Sequence, residues 1–555
     1  MFRLIFACIA MLLAATPALA DQLIDNVDGI RLDEHGAIDR FNGLWIDNDG
    51  RIKAVLHRGD KRPANVTYAI DEKGKVMMPG IIDAHTHVMD VGLAAMTLDL
   101  SDTKSLDEAL AKIAAFAKAN PARPWILGRG WSQARWNLNS FPTAAQLDTA
   151  VSDRPVWLES ADGHAGWANN LAMKAAGIEP GMANPKDGRI ERIGKSMIPS
   201  GVFVDSATRL IERVVPKPRP AEQDLALGKA QDIFLSNGVT AVTDMGTTIE
   251  DWQAYRRAGD AKRLNLRIMA YAQGPDAMEL IAGSGPTPWL YDDRLRLGGV
   301  ELTLDGVLGS HGAWLKQPYA DNPKTSGSRL LSASQLRNIM VRASLGHFQV
   351  AIHAVGDAAN ADALDAIAEV AQSFTGNLRW RIEQAQIVDP ADVAKFGQHG
   401  VVASMQPLQE PSNHAMAETR LGPDRAAGAY AWHDIAAAGA RLAFGSDAPG
   451  ESVNPFAGMA AALTRTDADG EPFGGWHPEQ RVSLEQALAA YTSGGAHGGF
   501  ADGHFGKLVP GELADFLIVD RDPTMASPSQ LRSMRVLETW IGGARVYQAK
   551  DQTVR

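Results

Sequence analysis

Between residues 80 and 500 the chain repeats one order: a short apolar run, a polar loop, then often an Ala-rich stretch of helical period. RPVWLES, GVTAVTDMG, LRIMAYAQ, GVELTLDG, FQVAIHAVGD, LRWRIEQAQ, GVVASMQP and RLAFGSDAP are the runs, and ANADALDAIAEVAQS is one of the helical stretches. Strands joined through a helix lie parallel, because the crossover returns the chain to the same end of the sheet. With the PGIIDAHTH run counted first, the tally is near eight, and a (β/α)8 TIM-type barrel is its natural closure. An open doubly wound sheet is the competing fold, but no Gly-rich phosphate loop follows a first strand. Residues 100–225 exceed one crossover helix and predict an inserted subdomain within a barrel domain spanning 80–504.

Both flanks read differently. GLWIDNDGRIKAVLHRGD alternates polar and apolar residues around Asn48-Asp49-Gly50, a hairpin signal. GKLVPGELADFLIVDRDP and VLETWIGGARVY, near the other end, are again turn-separated strands. Neither flank holds enough apolar residues for a core of its own. Residues 21–79 and 505–555 are therefore expected to pair into one small β-sandwich domain.

The first twenty residues, MFRLIFACIAMLLAATPALA, carry one early positive charge at Arg3, an apolar middle and a small-x-small end. That is the pattern of a secretory signal peptide cut before Asp21, and it places the mature chain in the periplasm or outside the cell. The apolar stretch is short for a membrane span and Pro17 interrupts its end, so no stable membrane insertion is expected after cleavage. The single cysteine, Cys8, lies in this segment, which leaves the mature chain without disulfide or thiol chemistry. A formal net charge of −11 with no Lys/Arg cluster argues against nucleic acid or an anionic membrane surface as a partner.

Polar residues stand where barrel strands end. His85 and His87 sit at i and i+2, the spacing that puts two strand side chains on one face. Glu301 lies in GVELTLDG, His353 in FQVAIHAVGD, Gln384 in RWRIEQAQ and Asp447 in RLAFGSDAP. Catalytic groups of such barrels sit at the C-terminal ends of different strands, and imidazoles and carboxylates converging there make a site for a divalent metal with room for water.

Taken together, PGIIDAHTH, DGHAGWANN, GVTAVTDMG, LDGVLGSHGAWL, HAVGDAANADALDAI, RIEQAQIVDPADV, FGSDAP and GKLVPGELADFLIVD resemble the amidohydrolase superfamily, in the amidohydrolase family 3 branch that includes N-substituted formamide deformylases. The resemblance implies a metal-dependent hydrolase whose ligands are an HxH pair, a bridging carboxylated lysine, two further histidines and an aspartate. His85 and His87 fill the pair, His353 the first later histidine and Asp447 the aspartate. Two positions depart from the pattern. Glu301 stands at the lysine, where its charge and two oxygens are suited to joining two metals from a shorter side chain. Gln384 stands at a histidine, and a carboxamide oxygen is a weaker ligand for zinc than imidazole, so a second metal position is weakened or lost. Glu383, by strand parity, is expected to point away.

The reaction implied is hydrolysis of an amide-type, non-peptide C–N bond in a small molecule. One or two divalent ions, zinc foremost, activate water, and Asp447 serves as general base and returns the proton to the leaving nitrogen. His164, His311, Trp131 and Trp314 are the candidate substrate-binding residues, while His477 and His497 fall outside the strand-end series and read as structural. The long segment 408–432 is read as a loop suited to a lid over the site. A lactone or phosphoester hydrolase, and a degenerate binding protein on the same barrel, are the rival functions. Substrate identity, metal count and oligomeric state are not encoded in any motif.

Overall fold

The computed structural model describes residues 21–550 apart from Ala134, Asp162, His164, Asp187 and Thr375. The leader-like residues 1–20 and the candidate His164 thus lie outside the described residues.

Eight parallel strands pair in sequence order: β1 (Ile81–Thr86), β2 (Val239–Thr247), β3 (Arg267–Gln273), β4 (Leu295–Thr303), β5 (Gln349–Ala354), β6 (Arg381–Gln384), β7 (Val402–Met405) and β8 (Arg441–Phe444). They are largely buried on both faces because helices cover the outside while side chains fill the inside. β2, for example, is buried at eight of its nine residues. The seam between β8 and β1 is closed by bonds just past the strand ends. Asp447 N–H reaches the His85 carbonyl at 2.8 Å and His87 N–H reaches the Ala448 carbonyl at 3.0 Å. The buried Asp83 carboxylate takes both the backbone N–H and the hydroxyl of Ser446, at 2.9 and 2.6 Å. Closing the ring in this way draws His85, His87 and Asp447 to one place.

The helix after the two histidines, Val88–Met96, packs on the helix Pro220–Ser236. At Gly92 the approach is so close that a Cβ would stand 2.0 Å from the Ala226 carbonyl oxygen. Only glycine permits this crossing.

The run RPVWLES, counted above with the barrel, belongs elsewhere. Its strand Val156–Ser160 lies in a six-stranded sheet with Leu98–Asp99, Ile126–Trp131, Ala165–Ala168, Pro199–Asp205 and Gly188–Arg192. This sheet is the inserted subdomain. The sheet is mixed, but Val156–Ser160 pairs parallel with Ile126–Trp131 and is mostly buried, which gives it the same apolar text as a barrel strand, so local pattern alone does not tell them apart. Trp131 is only 1% exposed, bonds the Leu158 carbonyl at 2.8 Å and packs on Trp136, Trp167 and Phe141. It is a core residue of the insert, not a substrate contact. The insert reaches the barrel mouth through Arg129, whose guanidinium donates to the Pro449 carbonyl at 3.4 Å.

The two flanks form one β domain, an eight-stranded sheet that forks. Phe516–Val519 pairs antiparallel with Val76–Pro79, joining the ends, and the first strand, Gln22–Leu32, carries Tyr68–Asp71 beside its first half and Val76–Pro79 beside its second. A register shift between Asp25 and Gly29 makes the fork. Ile24, Phe41, Leu44, Ile518 and the stacked pair Phe516 and Trp540 fill its core.

The segment 408–432 is not a loop. It folds as the helix Gln409–Leu421, a short helix Pro423–Ala426 and the start of Trp432–Ala437. The Glu418 carboxylate accepts from the Trp476 indole at 2.7 Å, and the Arg420 carbonyl accepts from Ala320 N–H at 2.8 Å, which straps the first helix down. Among the described residues no helix is long and apolar enough to cross a membrane.

Candidate metal centre

His85 ends β1 and is 1% exposed; His87 follows it and is partly open to the mouth. Each imidazole is held by its Nδ1. That of His85 lies 2.8 Å from Glu383 Oε2, and that of His87 lies 2.9 Å from the Met245 carbonyl at the end of β2. A carbonyl accepts only, so His87 Nδ1 carries the proton and Nε2 is the free nitrogen. Both Nε2 atoms face Asp447 Oδ1, at 3.5 Å from His85 and 3.2 Å from His87. Asp447 sits just past β8 with φ 58°, a left-handed backbone that an aspartate tolerates better than most residues.

His85, His87 and Asp447 each offer one ligand atom, and the three atoms lie within 4.8 Å of one another. Two imidazole nitrogens and one carboxylate oxygen form a donor set suited to a divalent ion with an open position for water. The residues present fit such an ion. Without it, protons take its place. Burial opposes charge on His87, yet the Asp447 carboxylate raises its pKa to about 9. Burial likewise opposes charge on His85, and Asp447 and Glu383 together overcome it. The two imidazoles in turn hold Asp447 far below the usual carboxylate range, against its own burial.

Beneath His85 lies a charged pair that strand parity had been expected to exclude. Arg381 Nε donates to Glu383 Oε1 at 2.7 Å, and Arg381 Nη2 donates to the Ala84 carbonyl at 2.6 Å; both side chains are fully buried. Burial alone raises a carboxyl, but Arg381 and His85 bring Glu383 down to about 2. Parity along β6 places Arg381 and Glu383 inside the barrel, with Ile382 facing the helices. Gln384 should then point outward too, but left-handed backbone at Gln384 and Ala385, φ 72° and 41°, turns it back over the mouth. Its amide nitrogen, not its oxygen, meets Asp447, donating to Oδ2 at 2.8 Å. Gln409, from the strapped helix, donates to the same oxygen at 2.9 Å.

The remaining candidates are dispersed around this cluster. Glu301, on β4, is partly buried and has its pKa raised by that burial, against the pull of His85 and His87. Its Oε2 lies over Gly246, where a Cβ would come within 3.3 Å. His353 stands beside Glu383 in register, is held near a pKa of 4 by burial and by His85, and has no side-chain hydrogen bond among the described residues. Neither Glu301 nor His353 joins the 4.8 Å group. His311 is engaged elsewhere, with its Nε2 3.1 Å from Asp321 and its ring against Tyr319. The Trp314 ring is covered by the Arg329 guanidinium at 5.1 Å. His477 and His497 pair with Glu479 and Asp502, away from the cluster. Arg381, Gln386 and Gln409 went unread in the sequence, and Glu383 was read as pointing away. The alternation Arg-Ile-Glu in a doubly buried strand was the available signal, since two inward charges require each other.

The family model of the amidohydrolase family matches residues 69–547. The chain is 34% identical over 499 residues to Protein LONG AFTER FAR-RED 3 of Arabidopsis thaliana, covering 87% of this chain and 84% of that protein. It is 28% identical over 524 residues to the N-substituted formamide deformylase of Arthrobacter pascens, covering 90% and 94%. Among solved structures, an uncharacterized metal-dependent hydrolase of Pyrococcus horikoshii superposes with a TM-score of 0.77 at 25% identity, covering 92% of this chain and 99% of that one. With the metal-type cluster at the barrel mouth and these relatives on both sides, the chain belongs to the amidohydrolase family, in its family 3 branch.

Proposed function

We propose that this metal-dependent hydrolase cleaves a non-peptide, amide-type C–N bond of a small molecule. The observation that carries the reading is the meeting of His85 Nε2, His87 Nε2 and Asp447 Oδ1 at the barrel mouth, each imidazole fixed through its other nitrogen. A divalent ion, zinc by the donor set, supplies an acidified water and polarises the scissile carbonyl when bound. The chain's own residues do the rest. The Asp447 carboxylate, steadied through Oδ2 by two amide donors, takes the proton from water and passes it to the leaving nitrogen. Glu383 and the Met245 carbonyl keep the imidazoles from turning. The relative named as an N-substituted formamide deformylase makes N-substituted formamides the first substrates to try. Export to the periplasm or beyond, read from residues 1–20, belongs to the same proposal, and the mature protein is expected to begin at Asp21.

A substrate panel tests it: N-substituted formamides, N-acyl amino acids, lactones and phosphotriesters, each offered to the zinc-loaded protein. Turnover of an amide, lowered about 10²- to 10⁴-fold in Asp447→Asn, is expected. Turnover confined to lactones or phosphotriesters overturns the C–N assignment. Bound metal with no turnover across a broad panel favours a binding protein.

A further inference from the structure

We infer that Arg129, carried to the barrel mouth by the inserted subdomain, receives a carboxylate of the substrate, so that the amide cleaved here belongs to an acidic small molecule. The inference rests on the hydrolase reading above and deepens it by naming the charge of the substrate.

Arg129 lies near the carboxyl end of Ile126–Trp131, which runs parallel to Val156–Ser160. Ligands of α/β sheets gather outside the carboxyl ends of parallel strands. Simple alternation would put Arg129 and Trp131 on one face. A bulge separates them: the register shifts between the two residues, and Gly130 takes φ 89°. A Cβ there would stand 2.8 Å from the Ser101 backbone nitrogen, so the bulge depends on glycine. Trp131 turns into the insert's core, and Arg129 reaches across to the barrel.

What it reaches is the turn that carries a residue of the metal-type cluster. Its Nη1 lies 3.4 Å from the carbonyl of Pro449, just past Asp447, and the adjacent Ala448 carbonyl accepts the His87 N–H at 3.0 Å. The guanidinium is half-buried, and among the described residues that one long bond is the only hydrogen bond it makes. Glu159 stands opposite it in register on the next strand, exposed, and the two form no ion pair. Arg267 shows the contrast, donating to both Asp515 oxygens and to the Asp292 and Asp293 carbonyls. A guanidinium is a planar fork of N–H donors that matches a carboxylate bidentately. Arg129 keeps most of that fork unclaimed, and a partly buried charge so loosely answered is costly until an anion completes it. The scissile carbonyl goes to the cluster and the carboxylate to Arg129.

Two matched series test this on the full-length mature chain loaded with zinc: N-formyl, N-acetyl and N-benzoyl amino acids, and the same compounds with the carboxylate capped as a carboxamide. Kd is measured by titration calorimetry for both series, and kcat/KM wherever turnover occurs. The wild type is expected to favour the acids by about 10- to 100-fold, and Arg129→Met to bring that ratio near one. An arginine that only braced the Pro449 turn would change both series alike and leave the ratio standing. A ratio near one in the wild type, no binding of any acid at millimolar concentration, or a preference that survives Arg129→Met, as it would if the acids sat on the metal, overturns the inference. Binding decides the ratio without chemistry, so acids held through Arg129 but never cleaved would count against the hydrolase reading and leave the carboxylate site intact. If Arg129→Met does not fold, Arg129→Lys, which keeps the charge and loses the fork, is expected to cut the preference about 10-fold, and an unchanged preference there overturns the inference.

Discussion

Glu410 gives the sharpest test of how the strapped helix is held. It lies in the first turn of Gln409–Leu421, is 0% exposed, and neither of its carboxylate oxygens has a hydrogen-bond partner among the described residues. Its surroundings are no better satisfied. Six of fourteen such unpaired buried polar atoms belong to Gln406, Glu410, Trp432 and Arg465, so nothing nearby replaces lost water. Burial pushes the Glu410 pKa from 4.5 up to about 7, with the Arg465 charge pulling weakly the other way. A folded pKa above the unfolded one means that the folded chain keeps a proton that the unfolded chain releases. The stabilisation is then fully present below pH 4.5 and is lost as the pH rises through 7. The gap corresponds to about 3 kcal/mol, an upper figure because an ionised carboxylate draws in water. Glu410→Gln keeps the shape and removes the titration. Urea unfolding followed by tryptophan fluorescence at steps from pH 5 to 8 should show the variant gaining on the wild type by up to about 3 kcal/mol across that range, ending as the more stable protein. A difference that stays flat with pH, or a wild type that is the more stable at pH 8, would refute the assignment of Glu410 as a dry, unpaired acid.

Three further outcomes follow from the same geometry. Glu383→Gln should weaken metal binding about 10- to 100-fold, read by competition with a chelating dye, because His85 loses the charge that orients it. It should also destabilise the chain by about 3–5 kcal/mol through the stranded Arg381, and pairing it with Arg381→Met should recover stability but not metal affinity. Trp131→Ala should cost about 3–5 kcal/mol in the insert's unfolding while leaving the metal content unchanged, which a substrate-contact role for this indole does not require. Gly92→Ala should lower folded stability by about 1–3 kcal/mol in thermal unfolding, since the new methyl meets backbone rather than a movable side chain.

The barrel could be read from sequence because strands buried on both faces and separated by amphipathic helices leave a repeating text, as GVTAVTDMG and FQVAIHAVGD do. RPVWLES has the same text for the same reason, and only pairing with Ile126–Trp131 shows that it serves another sheet. His85, His87 and Asp447 were legible because side-chain chemistry and spacing were enough to mark them. Gln384 was marked but its direction was not legible, since it depends on left-handed backbone at Gln384 and Ala385 that residue type does not announce, and Glu383 was expected to point away although the Arg-Ile-Glu alternation carries it inward. Gln409 was hidden differently: Pro411, Ser412 and Asn413 make its segment look like a loop, yet they occupy the first turns of a helix that burial and the Glu418–Trp476 bond hold in place. The residues missed thus share one property. Each acts on the cluster through another side chain, His85 or Asp447, and a role defined by a neighbour becomes visible only when the fold supplies the neighbour.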